Sequence, residues 1–227
     1  MRRYRYLAVA AGFAMVLSVP AGVAVAASAH SAPKPVLTIG KVHGTAVKKG
    51  AVLKASLPKK GKVTFAIAPY SVSCTSSSIV AKVVKNPAKA GEATLSVTSV
   101  SVSKCTEVLG LSISLKSLNL PYTATIRSSK GNPVTLSEAS KSKPMGFKVT
   151  VTDGKKVEGT CVFTAASLSG HASNKGNTVA FSKQKLTLDK AVSALCSGLN
   201  ISSATVTATY GPIVDSSVKH SPKVFIS

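Results

Sequence analysis

The chain has no tryptophan, and aromatic residues make up only 5% of its 227 positions. Proteins that hold single strands of nucleic acid stack bases on aromatic rings set among basic residues. No such interleaving occurs here, so specific nucleic-acid recognition is not expected. Acidic residues are scarce too: Glu92, Glu107, Glu138, Asp153, Glu158, Asp189 and Asp215 are all there are. None is paired within a few positions as a glycosidase carboxylate pair or a calcium loop requires. Asp153 reads as a turn residue and Asp189 as a helix cap. His30, His43, His171 and His220 stand alone, and a metal site would need at least three distant groups to converge. There is no G-x-S-x-G elbow, and "GKVHGTAVKKG" lacks the spacing and the closing Lys-Ser/Thr pair of a P-loop. No catalytic residue, no metal site and no cofactor is expected, and the chain reads as a non-enzyme.

What is present begins with a leader. "MRRYRYLAVAAGFAMVLSVPAGVAVA" joins three arginines to an apolar run from Leu7 to Val19, a break at Pro20 and small residues at 24–26. That order is the signature of a secretory signal peptide over residues 1–26, and the run is too short for a membrane span. Arg2 and Arg3 allow the twin-arginine route, but Arg5 stands where that signal prefers a bulky apolar residue, which favours the general secretory pathway. Residues 27–35 read as a flexible segment and 36–227 as one secreted β domain, with sub-halves at about 36–140 and 141–227. No membrane span is expected in the mature form. Without the leader, 26 basic residues face 7 acidic ones, a formal charge of +19, and Arg127 is the single arginine left. Lysine is a compact, hydrated point charge, whereas bidentate recognition favours arginine. Such a surface attracts anions diffusely.

Apolar residues alternate with Ser, Thr and Lys at period two in "KVTFAIA", "FKVTVTD" and "ATVTATYGP". Phe147, Val149 and Val151 then share one face against Lys148, Thr150 and Thr152. Alternation of this kind marks strands with one buried and one wet face, natural to antiparallel sheets. Gly and Pro interrupt the strands at short intervals, so the expected fold is all-β, an antiparallel β-sandwich or barrel. "LPKKGKV" and "TDGKKV" read as hairpin turns, the second with Asp153-Gly154 at its centre. Leu95 and Val97 are in one phase, Val100 and Val102 in the other, which predicts a β-bulge near Ser99. The same slip between Leu115 and Leu118 predicts a second irregularity. The one helix candidate is "LDKAVSALCSG", capped by Asp189, with Val192 and Leu195 on one stripe and Gly198 as its stop.

Cys74, Cys105, Cys161 and Cys196 form no C-x-x-C pair, so neither a zinc ribbon nor a redox motif fits. A nucleophilic cysteine would need a nearby histidine and an escape from oxidation outside the cell. Structural disulfides are the better reading. Of three possible connectivities, Cys74–Cys105 with Cys161–Cys196 is preferred because each closes one local β unit, 31 and 35 residues apart. Each closure stabilises by about 3–4 kcal/mol in the chain-entropy view. The similar separations, with the overlay of "NPAKAGEATLSV" on "SNKGNTVAFS", raise an internal duplication of two similar halves.

Lys48, Lys49, Lys54, Lys59, Lys60 and Lys62 form the densest basic cluster. They are either a solvated face or a patch for anionic cell-wall polymers, acidic glycans or extracellular DNA, an attraction that salt weakens. Taken in order, "GTAVKKGAVL", "VSCTSSS", "NPAKAGEATL", "CTEVLG", "NLPYTATI", "GTCVFTAASLSG", "SNKGNTVAF", "LCSG" and "ATYGPIVD" resemble a family of secreted proteins from Streptomyces and related actinobacteria, labelled as Tat pathway signal sequence domain proteins. The resemblance runs from Gly44 to Asp215 and includes all four cysteines. It implies an exported, β-rich protein with a four-cysteine framework, and it carries over no catalytic residue. The expected role is an exported protein that associates electrostatically with the cell envelope or its surroundings. The alternative is an extracellular carrier or inhibitor acting through loops such as "SKGNPV" and "SNKGN".

Overall fold

The structure is a computed structural model that describes residues 33–140, 142–198 and 200–227; the leader and the first residues of the segment after it lie outside the described residues. In chain order the strands are Leu37–Ile39 (β1), Thr45–Ala46 (β2), Val52–Ser56 (β3), Val63–Ile67 (β4), Tyr70–Lys89 (β5), Glu92–Cys105 (β6), Ser112–Leu118 (β7), Tyr122–Arg127 (β8) and Pro133–Ser137 (β9). Met145–Asp153 (β10), Lys156–Ala165 (β11), Ser167–Ser173 (β12) and Thr178–Ala191 (β13) follow. A short helix, Ala194–Gly198 (α1), precedes Ser203–Tyr210 (β14), Val214–Asp215 (β15) and Val224–Ile226 (β16).

Every pairing between these strands is antiparallel. Eight of them, in the order β12-β9-β8-β6-β5-β4-β14-β13, close into a barrel through the pairing of β13 with β12. Closure removes the exposed edges that an open sheet presents. β13 is long enough to serve two neighbours. Its first residues pair with β12, its last with β11, and β11, β10 and β7 continue from it as a side sheet. That side sheet packs its inner face on the barrel, with Phe147 meeting Phe65 edge to face at 5.5 Å between ring centres. Strands from before and after residue 140 thus close one barrel, and Pro33–Ser227 is one compact unit.

Period two decides which residues face inward. The row Val83–Leu95–Ala124–Leu136–Leu168 crosses five strands and is buried throughout. One residue along, Lys85–Thr94–Thr125–Thr135–Ser169 faces outward, and so does Lys82–Ser96–Thr123–Ser137–Ser167. A membrane-spanning barrel has an apolar outer band; this one is apolar inside and hydroxyl-rich outside.

The bulge falls where the phase change places it, since Val97 pairs with Ala81 and Ser99 with Val80, leaving Thr98 as the extra residue. The second slip has a different cause. β7 runs in unbroken register against β10, so Leu115 is buried while Leu118 stands on the other face, and the chain turns at Asn119 with φ +60. "LPKKGKV" is the β3–β4 turn, with the Gly61 amide donating to the Pro58 carbonyl. In "TDGKKV" the pair Asp153–Lys156 brackets a two-residue turn, so its centre is Gly154-Lys155, one residue later than expected. Gly154 supplies the positive φ there. The helix is also shorter than expected. β13 runs on through Asp189, which is therefore a strand residue and not a cap, and Val192 is exposed.

Candidate functional site

Cys74 and Cys105 face each other across β5 and β6 and are bonded; Cys161 on β11 is bonded to Cys196 in α1, which fastens the helix to the side sheet. No described cysteine is free. Among the described residues no three His, Cys, Asp or Glu side chains gather at one point. Asp215 is fully buried, and its carboxylate accepts hydrogen bonds from the Ser217 amide and hydroxyl.

The six clustered lysines are all exposed and divide into two groups at opposite ends of β3. Lys48 and Lys49 stand in the turn before it, and Lys54 faces outward from it. Lys54 lies in one row with Val214 and Lys223, while Lys82 lies over the turn at Gly50. Lys59 and Lys60 occupy the β3–β4 turn at the other end, with Lys62 leading into β4. A further row was not visible in the sequence: Lys116, Lys148, Val162 and Lys190 stand side by side across β7, β10, β11 and β13. The three lysines are exposed. With strands roughly 4.8 Å apart, Lys116 and Lys148 are immediate neighbours and Lys190 is about 10 Å beyond.

Carboxylates neutralise little of this charge. Among the described residues the ion pairs are Lys89–Glu92 at 3.4 Å, Arg127–Glu92 at 3.0 Å and Lys156–Glu158 at 2.8 Å. The hydrogen bond from Arg127, helped by the charge of Lys89, holds the Glu92 carboxyl below its usual range against a smaller opposing effect of burial. The Glu158 carboxylate raises the Lys156 ammonium in the same way.

Two other features have the shape of binding sites. An open groove of about 650 Å³ runs beside Lys34, Thr38, His43, Ser128 and Ser227 at one barrel end. The second is inside. A cavity of about 90 Å³ occupies the barrel lumen among Leu53, Leu95, Val97, Ala124 and Phe181, and a smaller one of about 40 Å³ adjoins it towards Met145 and Tyr210. At about 24 cal/mol per Å³, a void of the larger size forgoes about 2 kcal/mol of packing. Gly170 is needed at this wall, because a Cβ there would come within 2.8 Å of the Phe181 ring and 2.6 Å of the Ala180 carbonyl.

One end of the lumen is closed by a separate three-stranded sheet, β16-β1-β2, whose Leu37, Val224 and Ile226 face the cavity. Three asparagines hold this cap. The Asn86 carboxamide accepts from the Val36 and Leu37 amides and donates to the Leu37 and Val47 carbonyls. Asn177 donates to the Val224 carbonyl and accepts from the Ile213 amide, and Asn174 makes both of its bonds to Ile226. The segments "NPAKAGEATLSV" and "SNKGNTVAFS" therefore both supply cap-holding asparagines. The loops "SKGNPV" and "SNKGN" meet at the same barrel end, where the Ala172 amide donates to the Asn132 carbonyl. Comparison with known proteins finds no matching family model, no matching curated protein and no matching solved structure.

Proposed function

We propose that this is an exported, non-enzymatic β-barrel protein that associates with the cell envelope or its surroundings through attraction of its lysines to anionic polymers, such as cell-wall polyphosphates or acidic glycans. The observation that carries the reading is the unneutralised charge. Among the described lysines only Lys89 and Lys156 have a carboxylate within ion-pair distance. Exposed lysine ammonium groups at a net +19 create a positive field that raises the local concentration of polyanions. The outer rows of Ser and Thr between the lysines add hydrogen-bonding groups and no aromatic platform. Two disulfides fit an oxidising compartment, as do the leader and the resemblance to exported actinobacterial proteins.

Binding of the purified protein to isolated cell wall across a salt series tests this. The expected result is strong retention at 50 mM salt that declines steeply as the Debye length contracts, from roughly 10 Å at 0.1 M to 3 Å at 1 M. Retention that is unchanged at 1 M salt, or absent at 50 mM, would overturn the mechanism.

A further inference from the structure

We propose that the barrel lumen is a binding site for a small uncharged hydrocarbon, an aromatic ring or a short alkyl chain. Nothing in this depends on the surface charge. The cavity of about 90 Å³ exists because Ala55, Ala81, Ala124 and Ala172 occupy inward positions whose neighbours in the same rows are Leu, Val and Ile. Ala124, for example, stands between Leu95 and Leu136. Larger side chains at these positions would fill the space, as they do along the rest of each row.

The lining fixes the chemistry of the occupant. Lys54 is the one lining residue with a polar side chain, and its ammonium is exposed on the outer face of β3. A buried water needs about two to four polar partners, and an apolar cavity stays dry and accepts benzene or xenon. A ligand with hydroxyl, carboxylate or amine groups would leave them without hydrogen bonds. Ile79, Leu136 and Phe181 form a common wall with the adjoining void of about 40 Å³. A rotamer change in that wall lengthens the site, which admits a ring or a chain of about six carbons.

The cap provides the entrance. β1 and β16 are three residues long and β2 only two. They are fastened to the barrel wall by the Asn86, Asn174 and Asn177 side chains and by the buried side chains of Leu37, Val224 and Ile226. Elements this short, outside the closed ladder of the barrel, open at a lower free energy than the barrel does.

Xenon and benzene are the probes. The purified protein is expected to shift the 129Xe resonance in a saturable manner, and benzene at tenfold its Kd to raise the thermal midpoint by about 3–5 °C. Ala124→Leu, which fills the void, should weaken both by at least tenfold. Ala172→Val repeats the test at a second wall position should the first variant fail to fold. The proposal is overturned if the unsubstituted protein shows neither effect, or if the folded filling variants bind both probes as well as it does.

Discussion

Asn86 satisfies all four hydrogen-bonding positions of its carboxamide on the backbone of β1 and of the segment leading from β2. Removing it takes the side-chain partner from the Val36 and Leu37 amides and the Val47 carbonyl, while the Leu37 carbonyl keeps the Val47 amide; the cost is about 1–3 kcal/mol for each group that water cannot reach. Asn86→Ala is expected to lower the unfolding free energy by about 2–4 kcal/mol in urea. Asn86→Asp, of the same shape, does not rescue it, because two donors become acceptors facing the Leu37 and Val47 carbonyls. Two tyrosines supply a pH test. Tyr122 donates to the Leu118 and Gly146 carbonyls, and Tyr210 shares a hydrogen bond with the Ser77 hydroxyl. Burial pushes both phenols above their usual value, more strongly than these hydrogen bonds pull them down. Below about pH 10 neither state ionises and their contribution to stability is constant. As pH rises from there through the raised folded values, the unfolded chain loses its phenol protons first, so stability falls. The phenols are not the only contribution to stability at high pH, so the test is a comparison. Urea midpoints between pH 8 and 11.5 should fall less steeply for Tyr122→Phe or Tyr210→Phe than for the unsubstituted chain. Equal slopes would mean that the phenols ionise as freely in the fold as out of it.

Single elements show what placing like charges in adjacent strands costs. Lys116 and Lys148 are directly opposite on β7 and β10, a pairing that destabilises a sheet by roughly 0.2–1 kcal/mol. Lys148→Gln keeps the length of the side chain and removes the repulsion. It should stabilise the protein by that amount at 20 mM salt and by much less at 1 M, as measured by urea unfolding; a gain independent of salt would assign the effect to strand propensity. The side sheet's alternation was legible in the sequence, as were Phe147 and Val149 turned inward and the bulge at Thr98, because each depends on residues adjacent along the chain. The lysine row was not, since it follows from the register of four strands whose paired positions are not adjacent along the chain, from Lys116 at one end of the row to Lys190 at the other. The cap was illegible for the same reason. β1, β2 and β16 are too short to show a period, and they meet from opposite ends of the described chain. Asp189 was misread because Ser193, Ala194 and Cys196 carry the turn of helix that its own position suggested, while the ladder of β13 continues past it.

Considered whole, the molecule has an apolar interior, a hydroxyl-rich exterior and lysines on several faces, with concentrations at each end of β3 and across the side sheet. That distribution separates two ways of binding a polyanion. A single docking track would make one group of lysines dominant, whereas a diffuse field makes affinity depend on total charge, and lysine point charges without arginine forks favour the diffuse case. The fold class and the cysteine pairs could be read from the chain because patterning and spacing are local properties. How the charge is spread over the surface could not, because it depends on how the barrel brings distant strands together. The discriminating measurement compares two triple variants of equal charge, Lys48→Ser with Lys49→Ser and Lys54→Ser, and Lys116→Ser with Lys148→Ser and Lys190→Ser. On an immobilised polyphosphate column both are expected to elute at a lower salt concentration than the unsubstituted protein, and by nearly equal amounts. A shift confined to one triple would replace the diffuse field with a docking track on that face. Each lysine removed from a true contact should also reduce the slope of log affinity against log salt, by roughly 0.7–0.9 on the scale established for nucleic-acid polyanions, so a diffuse field predicts parallel and modest losses of slope in both variants.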